Sequence, residues 1–250
     1  MADLILTELT DGVYTVTLNR PEKLNCINIE MLETLEASIL IAENNKDICI
    51  VVIKGAGERA FSTGGDLKVF NNLPQRETMD WIRKGHSIFN RLENLSKPTI
   101  AVIKGYAFGG GLELALACDF RLAAERASFR LPEVLHGWPP GWGALTRLAR
   151  LIGQARAKEM ILLGEALRAE TAYQYGLVTR VVEELKLPKA LQGIIETLDA
   201  IDADAFAIAK SALQDQNTVQ SSGIALDSLA AVYTKFVKPG TLNKLDSPSN

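Results

Sequence analysis

Two glycine-rich turns are the segments of this 250-residue chain whose composition and spacing could do chemistry. Residues 61–66 (FSTGGD) follow one apolar run, and residues 109–113 (GGGLE) follow another. Glycine lets a ligand approach the backbone closely, and the unpaired N–H groups of a helix's first turn point at that ligand. Two such turns on neighbouring strands would bring their donors to one oxygen, which is how a developing oxyanion is stabilised. The other interpretation is that these glycines serve only tight turns and close packing.

Two glutamates accompany these turns. Glu113 ends the second turn within an apolar neighbourhood, and Glu133 follows Pro132 just after a short predicted strand. A glutamate in either place is commonly a surface or capping residue. A buried carboxyl group has a raised pKa and exchanges protons near neutral pH, so two of them facing one cavity would suit general acid/base catalysis. The spacing alone does not bring the two together.

A near-repeat predicts the elements that position the glycine turns. Residues 52–55 and residues 102–105 share the sequence VIKG, fifty residues apart. Each copy ends a predicted strand and leads into glycines. The sequence therefore predicts one unit, a strand, a glycine turn and a helix start, used twice.

The rest of the chain predicts one α/β core with a helical C-terminal part. A hairpin is predicted over residues 4–19 with its turn at Asp11-Gly12, and Asn28 is predicted to cap a helix. A short strand is expected near residues 178–182. The apolar positions expected to face the core are Leu32, Leu35, Ile39 and Ala42 in the first helix and Leu145, Leu148, Leu151 and Ile152 after residue 142. Further helices are predicted at 155–163, 188–200, 203–213 and 222–237.

Composition excludes several classes of protein. With 47% hydrophobic residues the chain can bury a sizeable core, and its net charge of −3 makes nucleic acid an unlikely partner. No apolar run reaches the ~20 residues that span a bilayer, and no targeting segment is visible, so a soluble cytoplasmic protein is expected. Three cysteines form no CxxC pair and are interpreted as buried thiols, with no metal site.

Residues 55–60 (GAGERA) fit a different motif, the dinucleotide-binding fingerprint. That motif needs a helix to begin within the turn, and the following residues 61–65 (FSTGG) form helix poorly. A nicotinamide-dependent enzyme is therefore not expected.

Taken in order, these motifs resemble those of the crotonase (enoyl-CoA hydratase and isomerase) superfamily. Besides the two glycine turns, the similarity includes Arg20-Pro21, Pro132-Glu133, Pro140-Gly141 and Gly164-Glu165. The resemblance implies an α/β fold, a spiral of β-β-α units over residues 1–190. It also implies a helical trimerisation region at 191–237, with a loose tail at 238–250, and assembly as trimers or hexamers.

The resemblance also implies a mechanism. The N–H groups of Gly65 and Gly110 would bind the thioester oxygen, Glu113 would activate water, and Glu133 would exchange a proton with the α-carbon. The intact pair favours an enoyl-CoA hydratase, a hydro-lyase that adds water across the α,β double bond. An isomerase or another crotonase-type reaction is the alternative, since isomerases of the superfamily generally need only the second carboxylate. Some relatives bind RNA, but the acidic pI argues against that role.

The implied acyl-CoA site covers further residues. Coenzyme A, part of the substrate rather than a separate cofactor, would contact Lys23, Leu24, Thr63, Gly64, Asp66, Leu67 and Lys68. The acyl group would contact Pro132, Trp138, Gly141 and Trp142. Residues 136–144 (HGWPPGWGA) depart from the small residues that hydratases commonly have there. Two prolines stiffen this loop between its tryptophans, so it predicts a preference for short, flat or cyclic acyl groups.

Overall fold

The computed structural model describes residues 3–214, which fall into two compact units, one ending at Asp199 and one beginning at Ala200. The strands of the first unit are β1 (Ile5–Thr10), β2 (Val13–Leu18), β3 (Ile50–Gly55), β4 (Ala60–Ser62), β5 (Thr99–Ile103), β6 (Tyr106–Phe108), β7 (Phe120–Ala124), β8 (Ser128–Arg130), β9 (Leu167–Arg168) and β10 (Arg180–Val182). Its helices are α1 (Ile29–Asn44), α2 (Leu67–Asn72), α3 (Gln75–Glu93), α4 (Gly110–Leu116), α5 (Ala144–Leu162), α6 (Ala169–Gln174) and α7 (Leu187–Asp199). The second unit contains α8 (Ala203–Gln214).

The strands of the first unit form two sheets. The larger has the order β1-β2-β3-β5-β7-β10, and the smaller has the order β4-β6-β8-β9. The chain enters the larger sheet through the predicted hairpin, in which Asp11 and Gly12 both have positive φ (48° and 77°), as its tight turn requires.

Three successive β-β-α units alternate between the sheets. β3, β5 and β7 are parallel neighbours in the larger sheet, and β4, β6 and β8 are parallel neighbours in the smaller one. The units end in α2, in α4 and in a 3-10 helix at Glu133–His136. The repeat predicted from the sequence is confirmed, with a short second strand added to each copy. Both glycine turns therefore leave the same edge of the smaller sheet.

The first helix follows its sequence signals. Asn28 caps α1 by accepting a hydrogen bond from the Met31 N–H at 2.9 Å. All four residues predicted to face the core are buried, namely Leu32, Leu35, Ile39 and Ala42. The β-hairpin and α1 were thus predictable from local patterns.

The apolar stripe predicted after residue 142 is only partly buried. Leu148 is buried, whereas Leu145 and Leu151 are 50% and 37% exposed, so the prediction was wrong for those two. They lie at the edges of the stripe, where the core no longer covers them. The sequence predicts that a new helix begins at residue 155. The structure confirms this, because Gly153, with a φ of 77° and a ψ of 160°, interrupts α5 just before that residue.

The structure also tests the interpretations of the cysteines and of residues 55–60. Cys118 is buried and Cys26 is half-buried, but Cys49 is exposed, so the prediction of three buried thiols was wrong. Cys49 lies between the buried Ile48 and Ile50, and successive side chains at the start of a strand point to opposite sides. Residues 55–60 lead from β3 into β4 rather than into a helix, which excludes the dinucleotide-binding motif.

Two helices, α7 and α8, match the predictions at 188–200 and 203–213, and the expected boundary at residue 190 falls inside α7. The predicted helix at 222–237 and tail at 238–250 lie outside the described residues. None of the helices within residues 3–214 is long and apolar enough to cross a membrane.

A buried cation holds the C-terminal end of α4. The guanidinium of Arg121 donates hydrogen bonds to the carbonyls of Ala115 (3.2 Å), Cys118 (2.6 Å) and Leu177 (2.6 Å). The two carbonyls of residues 115 and 118 lie at the negative end of the helix dipole, where a cation is favourable. Arg121 thus fixes α4 from the end opposite the glycine turn.

We expect Arg121→Met to lower the free energy of unfolding by about 2–4 kcal/mol, because each buried carbonyl left without a donor costs about 1–3 kcal/mol. Urea denaturation followed by circular dichroism measures this loss. Arg180→Met, at an exposed position on β10, is the control and should change stability by less than about 0.5 kcal/mol. Equal effects of the two substitutions would contradict the role of Arg121.

Candidate active site

A cavity of about 250 Å³ lies where the smaller sheet ends, and its wall is mostly apolar. Among the predicted site residues, those lining it are Thr63, Gly65, Leu67, Gly110, Glu113, Pro132, Glu133, Trp138, Gly141 and Trp142. The structure thus brings both glycine turns, both glutamates and both tryptophans to one place.

The two glycine turns touch each other at the cavity. Gly64 and Gly109 both have positive φ (87° and 51°), and a Cβ on Gly64 would lie 2.6 Å from the Gly110 nitrogen. A Cβ on Gly110 would lie 3.4 Å from the Gly65 nitrogen. Side chains at these positions would push the turns apart, so the close approach requires glycine.

The N–H groups of Gly65 and Gly110 are not used by the surrounding secondary structure. Gly110 is the first residue of α4, so no carbonyl of that helix can accept its hydrogen bond. The bridge between Ile27 and the first turn uses the Gly64 carbonyl (2.7 Å) and the Asp66 N–H (2.9 Å), and so leaves the Gly65 N–H outside it. Both glycines line the cavity, so their N–H groups are the donors to consider for a ligand oxygen there.

Glu113, a residue of α4, is 2% exposed, and its carboxyl group lies at the N-terminus of α5. Its Oε1 atom accepts hydrogen bonds from the N–H groups of Trp142 (2.7 Å) and Ala144 (3.0 Å). Burial holds the pKa of Glu113 above its usual value, and these N–H groups and the charge of Arg147 offset part of that rise. The helix end favours the anionic form of a carboxyl group placed against it.

Glu133 is also buried but has a different environment. Its Oε2 atom has no hydrogen-bond partner within residues 3–214. Burial, and then the negative charge of Glu113, raise the pKa of Glu133 to about 7. Both carboxyl groups thus have raised pKa values, but only Glu113 accepts backbone hydrogen bonds.

An aromatic wall closes the cavity around Trp142, which is 4% exposed. Its indole lies between two glycines, because a Cβ on Gly85 would approach its Nε1 atom to 2.3 Å and a Cβ on Gly110 would approach its Cζ3 atom to 2.3 Å. Its ring centroid is 5.1 Å from that of Trp81 and 5.4 Å from that of Phe89, with both pairs edge to face.

The sequence analysis missed the contribution of α2 and α3 to this wall. Phe70 stacks on Trp138 with ring centroids 4.8 Å apart, and Trp81 lines the cavity from α3. The available signal was Gly85, since a glycine inside a helix costs about 1 kcal/mol relative to alanine and needs a packing reason.

Five predicted coenzyme A contacts do not line the cavity: Lys23, Leu24, Gly64, Asp66 and Lys68. The two lysines are exposed, and the Leu24 carbonyl accepts the Thr63 N–H at 3.1 Å. Asp66 caps α2 and pairs with Arg20 at 3.3 Å. Although burial alone would raise the pKa of Asp66, its hydrogen bonds from Arg20 and the Lys68 N–H hold that pKa below the usual value. Their coenzyme A roles stay predictions.

No group of three His, Cys, Asp or Glu side chains in the described part of the chain could hold a metal ion.

Two glycines from neighbouring turns and two buried carboxyl groups thus line one mostly apolar cavity. The family model described as enoyl-CoA hydratase/isomerase matches residues 8–238. The chain belongs to this family, and its fold is the crotonase spiral of β-β-α units.

Relatives and solved structures agree with this assignment. A short-chain-enoyl-CoA hydratase from Clostridium acetobutylicum is 35% identical over 209 residues, 84% of this chain and 80% of the relative. An (E)-benzylidenesuccinyl-CoA hydratase from Thauera aromatica is 40% identical over 196 residues, 78% of this chain and 75% of the relative. The crystal structure of an enoyl-CoA hydratase from Bacillus anthracis superposes with a TM-score of 0.90 at 34% identity, covering 97% of this chain and 95% of that one.

We expect Trp142→Ala to raise kcat/KM for a long-chain enoyl-CoA relative to crotonyl-CoA by about tenfold, because the indole fills space in the acyl pocket and such contacts are worth about 1–3 kcal/mol. Alanine keeps the backbone N–H that binds Glu113. Phe89→Leu is the matched control, since Phe89 packs on Trp142 without lining the cavity. An unchanged ratio in the Trp142 variant, or an equal change in both, would mean that Trp142 serves only packing.

Proposed function

We propose that this protein is an enoyl-CoA hydratase. The observation that carries the proposal is the placement of two buried glutamates of unlike environment beside the two N–H groups at one cavity. Addition of water needs a base for the water and an acid for the α-carbon, and one glutamate suits each role. The substrate would bring its own coenzyme A, with no further cofactor taking part in the proposed reaction.

The reaction follows from these positions. The thioester oxygen accepts hydrogen bonds from the Gly65 and Gly110 N–H groups, which draw electrons from the double bond and make the β-carbon electrophilic. Glu113, as a carboxylate, takes a proton from water while the water oxygen bonds to the β-carbon. Glu133, in its acid form, delivers a proton to the α-carbon. A proton then returns through solvent from Glu113 to Glu133, and the reverse sequence dehydrates the product.

The relatives support this proposal because several of them are named hydratases, including those that act on short-chain and on benzylidenesuccinyl thioesters. Because the acyl groups of those two relatives differ, we expect the aromatic wall around Trp142 to determine which acyl group this chain accepts. Lys23 and Lys68, exposed near the first glycine turn, remain our proposed contacts of the coenzyme A phosphates.

We expect Glu113→Gln and Glu133→Gln each to lower the hydration rate by about 10²–10⁴, because each removes one proton-transfer group and keeps the side-chain shape. The loss of enoyl thioester absorbance on crotonyl-CoA measures the rate, and calorimetry should show coenzyme A binding unchanged. The two groups serve one addition, so the double variant should lose far less than the product of the single losses.

Glu77→Gln, at an exposed position on α3, is the control for this series and should keep full activity. Loss of activity in Glu133→Gln alone would instead support an isomerase, in which one carboxyl group moves a proton along the acyl chain. Full hydratase activity in both single variants would refute the proposed roles of the two glutamates, and failure of the unmodified protein to hydrate any enoyl-CoA would refute the proposed function.

We also propose that the protein self-associates as a trimer or a pair of trimers. Three leucines of α5 are exposed in the single chain, namely Leu145, Leu151 and Leu162. Burying such apolar surface contributes about 25 cal/mol per Å². An interface between copies is where we expect these leucines to lie.

Multi-angle light scattering should therefore give three or six times the chain mass of 27.3 kDa. Leu162→Lys should shift the mass distribution toward the single chain, since it would bury an unpaired charge in the interface. The mass of a single chain at micromolar concentration in the unmodified protein would contradict the assembly.

A further inference from the structure

A buried arginine lies behind the cavity, within the first turn of α5. Arg147 is 2% exposed, and its guanidinium donates hydrogen bonds to the Trp142 carbonyl (2.8 Å) and to Glu93 (2.8 Å). A third hydrogen bond runs to the Asn90 side chain. A Cβ on Gly143 would lie 1.8 Å from the guanidinium, so the cation lies directly against the backbone of residues 142–144.

The same short segment holds Glu113. The N–H groups of Trp142 and Ala144 donate to the Glu113 carboxyl group, while the Trp142 carbonyl accepts from Arg147. The Glu113 carboxyl group therefore holds residues 142–144 through two N–H groups, and the Arg147 guanidinium holds the same residues through the Trp142 carbonyl. Movement of the segment would change both contacts together.

The buried position of Arg147 carries a free-energy cost. A cation in the first turn of a helix faces the positive end of the helix dipole, and taking a guanidinium out of water costs several kcal/mol. Glu93, which also pairs with Arg150, offsets part of this cost. The hydrogen bond to the Trp142 carbonyl places the positive charge of Arg147 next to residues 142–144, the segment that binds Glu113.

We propose that Arg147 is a positioning residue that, through residues 142–144, holds Glu113 in place and favours its carboxylate form, the form that takes a proton from water. This role rests on the proposed function, in which Glu113 is the base, and it assigns to Arg147 the stabilisation of that base. It goes beyond the pair itself, because within residues 3–214 the Arg147 side chain donates no hydrogen bond to Glu113 or Glu133 and does not line the cavity.

The charged groups around the pair agree with this role. The charge of Glu113 acts on Glu133, and His136 lines the cavity from the same 3-10 helix as Glu133. From α5 the cations are Arg147 and Arg150, and from α3 the anion is Glu93. Burial raises the pKa of both glutamates, and the charge of Arg147 offsets part of that rise at Glu113.

The pH profile of kcat/KM distinguishes this role from packing alone. In the active form the pair of glutamates carries one proton, located on Glu133. The acidic limb of the profile therefore reports protonation of Glu113, and the alkaline limb reports loss of the proton from Glu133. Without the nearby cation the pKa of Glu113 rises. In Arg147→Met we expect the acidic limb to move up by about one pH unit and the plateau of kcat to fall about tenfold, with KM changed less than threefold.

Two further variants provide the comparison. Arg147→Lys keeps the positive charge without the planar fork, and it should keep the acidic limb within about 0.3 pH units while recovering most of the rate. Arg150→Met is the matched control, because Arg150 shares Glu93 with Arg147 whereas Arg147 is the residue that donates to the Trp142 carbonyl, and its profile should match that of the unmodified enzyme. If Arg147→Met does not fold, Arg147→Gln takes its place.

A lower kcat with both limbs unmoved would overturn the proposal, since a purely structural role predicts that result. An equal shift in Arg150→Met would also overturn it. Carbon-13 NMR of labelled glutamate carboxyl groups reads the pKa of Glu113 without turnover. A raised pKa in Arg147→Met would therefore support the role of Arg147 even if the unmodified protein failed to hydrate crotonyl-CoA, which would refute only the proposed function.

Discussion

The site depends on two helix N-termini that end at one cavity. The first N–H groups of a helix have no partner inside that helix, so each helix start needs an acceptor from elsewhere. At α4 the Gly110 N–H faces the cavity, and at α5 the acceptor is the Glu113 carboxyl group. Glu113 is itself part of α4, so one helix carries both a donor for a ligand and the acceptor for its neighbour.

This arrangement gives two residues of the same type different surroundings. The Glu113 carboxyl group accepts two backbone hydrogen bonds and has a cation behind them, whereas Glu133 has a buried oxygen without any donor among the described residues. The difference arises from the backbone around them rather than from their own chemistry. Backbone placement is therefore the means by which the proposed acid and base would differ.

Local patterns predicted much of the fold. The hairpin turn at Asp11-Gly12, the Asn28 cap and the repeated strand and glycine units depend on neighbours within a few residues, and all were found. The meeting of Glu113 with Trp142 depends on segments about thirty residues apart, so only the family resemblance placed the glutamates in one site. Burial at the edges of elements, as at Leu145 and Cys49, depends on tertiary cover that a periodic pattern does not contain.

The pairing of Gly85 with Trp142 also restricts the order in which this pocket can diverge. A methyl group on Gly85 would meet the indole at 2.3 Å, so alanine at residue 85 is blocked while tryptophan occupies residue 142. Replacing the tryptophan first removes that obstacle and leaves glycine tolerable. The two positions are therefore coupled: a larger residue on α3 becomes compatible with the fold only after the indole has gone, so substitutions at residues 85 and 142 are not additive.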